Sequence, residues 1–124
     1  LDNQITTADM SLRRAAFTLL AVLLVIVIAA LGVHQLRRSD PYVQSVLSVV
    51  GDPTQGQTIF QMNCAGCHGL DADGRVGPSL HHVASRKSRI GLIHQVTSGK
   101  TPPMPQFQPT PQEMADLLEY LEGL

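Results

Sequence analysis

What this chain lacks narrows the field first. No stretch alternates apolar and polar residues well enough to read as a strand, and there is neither an internal repeat nor a low-complexity tract. Charge is scarce and nearly balanced, at −1 overall with histidines neutral. No basic stripe of the kind that follows a phosphate backbone is present, which excludes nucleic acid as a partner. Cysteine is limited to two residues, both inside one short motif. They are therefore no evidence for a disulfide. A zinc site would need two more ligands at matched spacing, and a thioredoxin-like dithiol would need a βαβ setting; neither is found. The expected fold class is all-α.

The cysteine motif is Cys64-Ala65-Gly66-Cys67-His68, the attachment pattern of a c-type haem. Two thiols add across the two vinyl groups of the porphyrin, and the adjacent imidazole reaches the iron. Cys64 and Cys67 stand three apart, so on a helical turn both sulfurs project from one side, and His68 must follow at once. The expected cofactor is one covalent haem c held through Cys64 and Cys67, with His68 as an iron ligand. A methionine on the other face raises the potential and suits electron transfer. Met10 precedes an apolar span, and Met62 is too near Cys64 to cross to the opposite face. Met114 falls in an apolar stripe with Leu117, Leu118 and Leu121. That leaves Met104, in Pro102-Pro103-Met104-Pro105, where prolines stiffen the chain and bias it to an extended path. His81, His82 and His94 are the competing donors.

With these marks in place, residues 52–124 resemble a class I cytochrome c. The resemblance rests on Gly56 and Phe60 ahead of the motif, Gly77-Pro78-Ser79-Leu80 after it, Met104-Pro105, and a closing helix with Tyr120-Leu121. It implies that the carbonyl of Pro78 accepts a hydrogen bond from the His68 imidazole and fixes that ring. It also implies that Gly56 lets the first helix of the domain cross the last closely, with Phe60 and Tyr120 nearby. The cofactor-binding set is thus Cys64, Cys67, His68, Pro78 and Met104, with His68 and Met104 on the metal.

Helix signals agree. Asp52-Pro53-Thr54-Gln55 offers an N-cap, a proline at the first helical position and a capping-box glutamine; Thr110-Pro111-Gln112-Glu113 repeats the device. Between them, residues 85–98 carry Ile90, Ile93 and Val96 on one face, with Gly99 as C-cap. Residues 69–82 and 99–109 read as loops around the haem edges. The expectation is about three main helices around a covalent haem. A domain under roughly 80 residues usually needs a staple, and the haem supplies it.

Upstream, Ala15–Val33 is nineteen residues without a charge. A span of about 20 apolar residues matches a bilayer core. A signal peptide has a shorter apolar region and a small-x-small exit, whereas Leu31-Gly32-Val33-His34 offers no good cleavage site. The expected organisation is a polar, frayed tail over 1–12, a single-span anchor over 13–38, a linker over 39–51 and the haem domain over 52–124. Ser39-Asp40-Pro41 stops the membrane helix. Residues 42–50 are apolar enough for a short helix lying on the membrane or against a partner; about 14 extended residues could otherwise reach roughly 45 Å. Arginines flank both ends of the span equally, so charge does not orient it. The family resemblance does: it implies a haem domain on the periplasmic or thylakoid-lumen side and a cytoplasmic or stromal N-terminus.

Residues 51–124 hold five basic and seven acidic side chains, a balance of −2. Arg86, Lys87 and Arg89 are a candidate docking patch for an acidic partner or a plain solvated helix start. An iron with both axial positions filled leaves no place for a small-molecule substrate, so no enzymatic activity is expected. The leading reading is a tethered one-electron carrier between membrane complexes, with a haem-bearing structural or regulatory subunit as the alternative. A peroxidase freed by Met104 dissociation is a third. The anchor and the text around Asp40-Pro41-Tyr42-Val43 and Gly51-Asp52-Pro53 are most similar to the cyanobacterial cytochrome cM branch. That similarity implies a thylakoid or plasma membrane, and a terminal oxidase, a cytochrome b6f/bc-type complex or a photosystem as partner.

Overall fold

The computed structural model describes the backbone of residues 2–38 and 40–124, and side chains from Met10 to Leu36 and from Asp40 onward. Among the described residues there is no strand. The chain divides into two units, Leu1–Arg37 and Arg38–Leu124.

The first unit is one helix, α1 (Asp2–Arg38). No proline and no glycine interrupts residues 2–31, so nothing in the chain stops the helix before Gly32. It takes in the polar segment expected to fray as well as the apolar run. Its stretch Met10–Leu36 is long and apolar enough to cross a membrane; an 18-residue window within it has a mean hydropathy of 3.0 and none of that window is buried against protein. Ser39, part of the expected stop signal, lies outside the described residues.

The second unit holds α2 (Pro41–Ser48), α3 (Pro53–Asn63), α4 (Ala65–His68), α5 (Val83–Arg86), α6 (Arg89–Ser98) and α7 (Pro111–Glu122). Caps set most of the starts. Asp52 accepts from the N–H of Thr54 and Pro53 opens α3. At α7 the reciprocal box closes: Thr110 accepts from the Glu113 N–H while the Glu113 carboxylate accepts from the Thr110 N–H. Gly99 ends α6 in the left-handed region at φ +60°, where a side chain would be strained.

The domain is built around α7, which crosses α3 and receives α2, α5 and α6. Gly56 makes the α3–α7 crossing possible. A Cβ built there would stand 2.0 Å from the Asp116 carbonyl oxygen and 2.9 Å from Cβ of Tyr120. Beside it the rings of Phe60 and Tyr120 pack with centroids 5.3 Å apart at 49°. Phe60, Ile93, Met114, Leu117 and Leu118 are fully buried, so Met114 is core, as its stripe implied.

Two expectations need correction. Residues 85–98 are not one helix, because Lys87 is extended and Ser88 starts α6 afresh by accepting from the Gly91 N–H. A serine hydroxyl offers the backbone a local partner that competes with helix continuation. The apolar 42–50 segment is the short helix its composition allowed rather than an extended tether, and what it packs on is its own domain. It forms α2, N-capped by Asp40, and buries Val43 and Val46 completely in the domain's own core. The Tyr42 hydroxyl donates to the Pro109 carbonyl at 2.9 Å, and the Gln112 amide donates to the Val50 carbonyl at 2.9 Å. Asp116 ties the two ends of this arrangement. Its carboxylate, buried, accepts from the Asp52 N–H and from the Gln112 amide. At 1.5 Å per residue an eight-residue helix covers only about 12 Å, so the extended reach is not available.

Candidate haem centre

The centre starts where α3 ends. Cys64 caps α3 with its N–H on the Phe60 carbonyl, then serves as the first residue before α4. The N–H groups of Cys67 and His68 both return to the Cys64 carbonyl, at 3.1 and 3.0 Å. The motif is therefore one tight turn, with the first thiol at its start and the second thiol and the imidazole side by side at its end. Cys64 is half-buried and Cys67 exposed. Burial, and then the neighbouring Cys67, push the Cys64 thiol up to about 11, so the free thiol is held protonated.

His68 is buried at 8% exposure. The following loop folds back over α4: the Gly74 N–H donates to the His68 carbonyl at 2.7 Å and the Gly77 N–H to the Cys67 carbonyl at 2.8 Å. Gly69 and Gly74, at φ +85° and +95°, supply the reversals. Pro78 is thereby brought to the ring, its carbonyl oxygen 2.8 Å from Nδ1 of His68. A carbonyl only accepts, so Nδ1 carries the proton and Nε2 keeps its lone pair free for a metal. Gly77 lies flush against the imidazole, where a Cβ would come within 2.7 Å of Cε1. Sequence reasoning placed Gly77 in the motif but not on the ring.

Met104 is half-buried in the proline-rich loop, its N–H donating to the Thr101 carbonyl at 2.9 Å. It packs on the core together with Leu80, Ile90, Phe107 and Tyr120. Of the competing donors, His81 is engaged through Nε2 with Asp73 at 2.8 Å, His82 is exposed, and Nε2 of His94 is buried without a hydrogen-bond partner. Two members of the basic cluster also make contacts within the domain while keeping exposed surface. Arg86 donates to the carbonyls of His81 and Ser79, and Arg89 pairs with Glu119 and Glu122 across α6 and α7. Lys87 alone of the three is left out of these pairings. The parts fit a haem: two thiols on one turn for the thioethers, an imidazole of fixed tautomer with its free nitrogen available, a thioether from a separate loop, and apolar side chains around them.

The sequence profile of the family described as "Cytochrome C oxidase, cbb3-type, subunit III" matches residues 51–121. The chain belongs to this family of c-type cytochromes. Its relatives include a "Cytochrome c-553-like" protein of Synechocystis sp., 57% identical over 80% of this chain and 94% of that one. Cytochrome c2 of Rhodopila globiformis is 32% identical over 60% of this chain and 94% of the relative. Among solved structures, cytochrome cL from Hyphomicrobium denitrificans superposes with a TM-score of 0.50 at 23% identity, over 68% of this chain and 58% of that one. That likeness speaks for the fold alone. The Synechocystis relative, covered almost end to end, comes from a cyanobacterium, in line with the resemblance read from the sequence. As a member of the family it carries a covalent haem c, with Cys64 and Cys67 at the attachment spacing, and it is an electron carrier.

Proposed function

We propose that this protein is a membrane-anchored one-electron carrier whose haem iron is ligated by Nε2 of His68 and Sδ of Met104. The haem supplies the Fe(III)/Fe(II) couple. The observation that carries the reading is the 2.8 Å bond from Nδ1 of His68 to the Pro78 carbonyl. It commits the ring to one tautomer, holds its plane, and raises the basicity of the nitrogen left for iron. Met104, stiffened by Pro103 and Pro105, provides the second ligand, and filling both axial positions keeps substrates off the metal. Residues 13–38 serve as the anchor, supported by the apolar run of α1 with none of its window buried. The haem domain then works on the periplasmic or lumenal side. Tethering raises its effective concentration near membrane partners such as a terminal oxidase, a cytochrome b6f/bc-type complex or a photosystem.

A second reading, a haem-bearing subunit of an oxidase, draws on the oxidase subunit after which the matched family is described. The carrier is favoured because α2, the apolar segment a stable partner would use, spends Val43 and Val46 inside its own domain.

A spectroelectrochemical titration of the purified protein, following the Met–iron charge-transfer band, tests the reading. A high potential with the band present is expected. Met104→Ala is expected to abolish the band, lower the potential and let carbon monoxide bind the reduced iron. An unchanged spectrum and potential in that variant would sink the ligand assignment.

A further inference from the structure

Gly99 reverses the chain at the end of α6, and the Phe107 N–H returns to the Val96 carbonyl at 3.0 Å. This hairpin of helix and loop brings together three side chains that are well separated in sequence. The side-chain nitrogen of Gln95 stands 3.7 Å from Sδ of Met104 and 3.0 Å from Oγ1 of Thr101. The geometry points to Gln95 as a positioning residue for the axial thioether: it donates one N–H to the sulfur lone pair that iron does not use. The inference rests on Met104 ligation as proposed above.

The amide has two N–H groups, enough for both contacts at once. Its orientation follows from the acceptors. The Thr101 hydroxyl serves equally as donor or acceptor, whereas a thioether only accepts. Turning the amide over would satisfy threonine but set the Gln95 oxygen against the sulfur lone pair. The NH2 edge is the one that suits both neighbours. Gln95 and Met104 are both half-buried, so water competes poorly for the contact. Donation draws electron density from sulfur, reducing what it gives to iron and favouring Fe(II) over Fe(III). The same contact fixes how the thioether is presented, because Thr101 holds the amide while its own carbonyl holds the Met104 N–H. Gln95 thus acts on both the potential and the hold of the iron on its sulfur.

The test uses the full haem-loaded chain in detergent, with Gln95→Leu, Thr101→Val and the double variant. The midpoint potential, the Met–iron band and displacement of Met104 by added imidazole are the readouts. Gln95→Leu is expected to keep the band, lower the potential and change the imidazole needed for displacement by about five- to tenfold, the factor carried by one net hydrogen bond. Thr101→Val is expected to shift both readouts the same way by less, and to add nothing on the Gln95→Leu background. A Gln95→Leu protein with the band, the potential and the imidazole response all unchanged overturns the role of Gln95 and leaves Met104 ligation standing. Absence of the band from the unmutated protein overturns both. Should Gln95→Leu lose helicity, Thr101→Val decides alone: a lowered potential supports the role, and an unchanged one removes it.

Discussion

A single hydrogen bond determines which nitrogen of His68 is free, and the residues that make it possible are small ones. Pro78 supplies a carbonyl with no N–H of its own nearby to compete, and Gly77 lets the chain lie on the imidazole without a Cβ in the way. Glu113 shows the same economy at the surface. The Thr110 N–H, and then the Thr110 hydroxyl, hold its carboxyl below the usual glutamate range. A carboxyl depressed in the fold contributes stability that is present above its unfolded value and is lost as pH falls through the folded value. Thermal melts of the haem-loaded protein from neutral to acidic pH should therefore bring the unmutated chain and Glu113→Gln together, the gap present at neutrality closing below the ordinary glutamate range. A gap independent of pH would mean that the capping box does not depend on the charge. At this scale the sequence was informative. The Thr110–Glu113 box was legible from spacing alone, and Pro78 from resemblance, because both depend on short-range geometry. Gln95 was not legible: it meets Met104 only after Gly99 has turned the chain.

Elements were legible where caps are strong and became ambiguous where two local signals compete. The starts at Asp52 and Thr110 and the stop at Gly99 agree with the sequence reading. The break at Lys87–Ser88 does not, since an apolar face continues through it and only the Ser88 cap interrupts the backbone. The α3–α7 crossing depends on Gly56. Gly56→Ala should cost about 3 kcal/mol or more, because the new methyl overlaps a backbone carbonyl that cannot rotate away. Denaturant midpoints followed by haem absorbance would measure it, and a cost within noise would show that the helices part easily. Gly51 makes a comparable approach, a Cβ there standing 2.2 Å from the Ala115 carbonyl oxygen. For α2, Val46→Ala should lose about 2 kcal/mol from two buried methyls and the space they leave. Hydrogen exchange gives the companion observation: α2 amides protected as strongly as those of α3 are expected, and rapid exchange across Pro41–Ser48 would contradict the docking of α2.

On the scale of the whole molecule, one unit is a long apolar helix and the other a cofactor-binding domain. The apolar stretch of α1 has no burial within the protein, and its length suits a bilayer. Among its described residues the second unit contains six helices, of which two are single turns of four residues. Such a unit leans on the group it is bonded to. Cys64→Ala/Cys67→Ala, which removes both attachment points, should collapse the domain's share of the helical circular dichroism while α1 keeps its own in detergent. Native-like helicity in residues 40–124 of that variant would show a self-sufficient bundle.

From the sequence alone came the chemistry: the Cys64–His68 motif names the cofactor, the uncharged run from Ala15 to Val33 names an apolar span, and the caps name the main helices. These signals are legible because each lies within a few residues or one regular period. Three things waited for the tertiary structure: the burial of α2 in the domain, the partners that Arg86 and Arg89 find within it, and the meeting of Gln95 with Met104. Each is a contact made only once a loop has reversed the chain or two helices have packed, and no regular local period in the sequence carries that geometry.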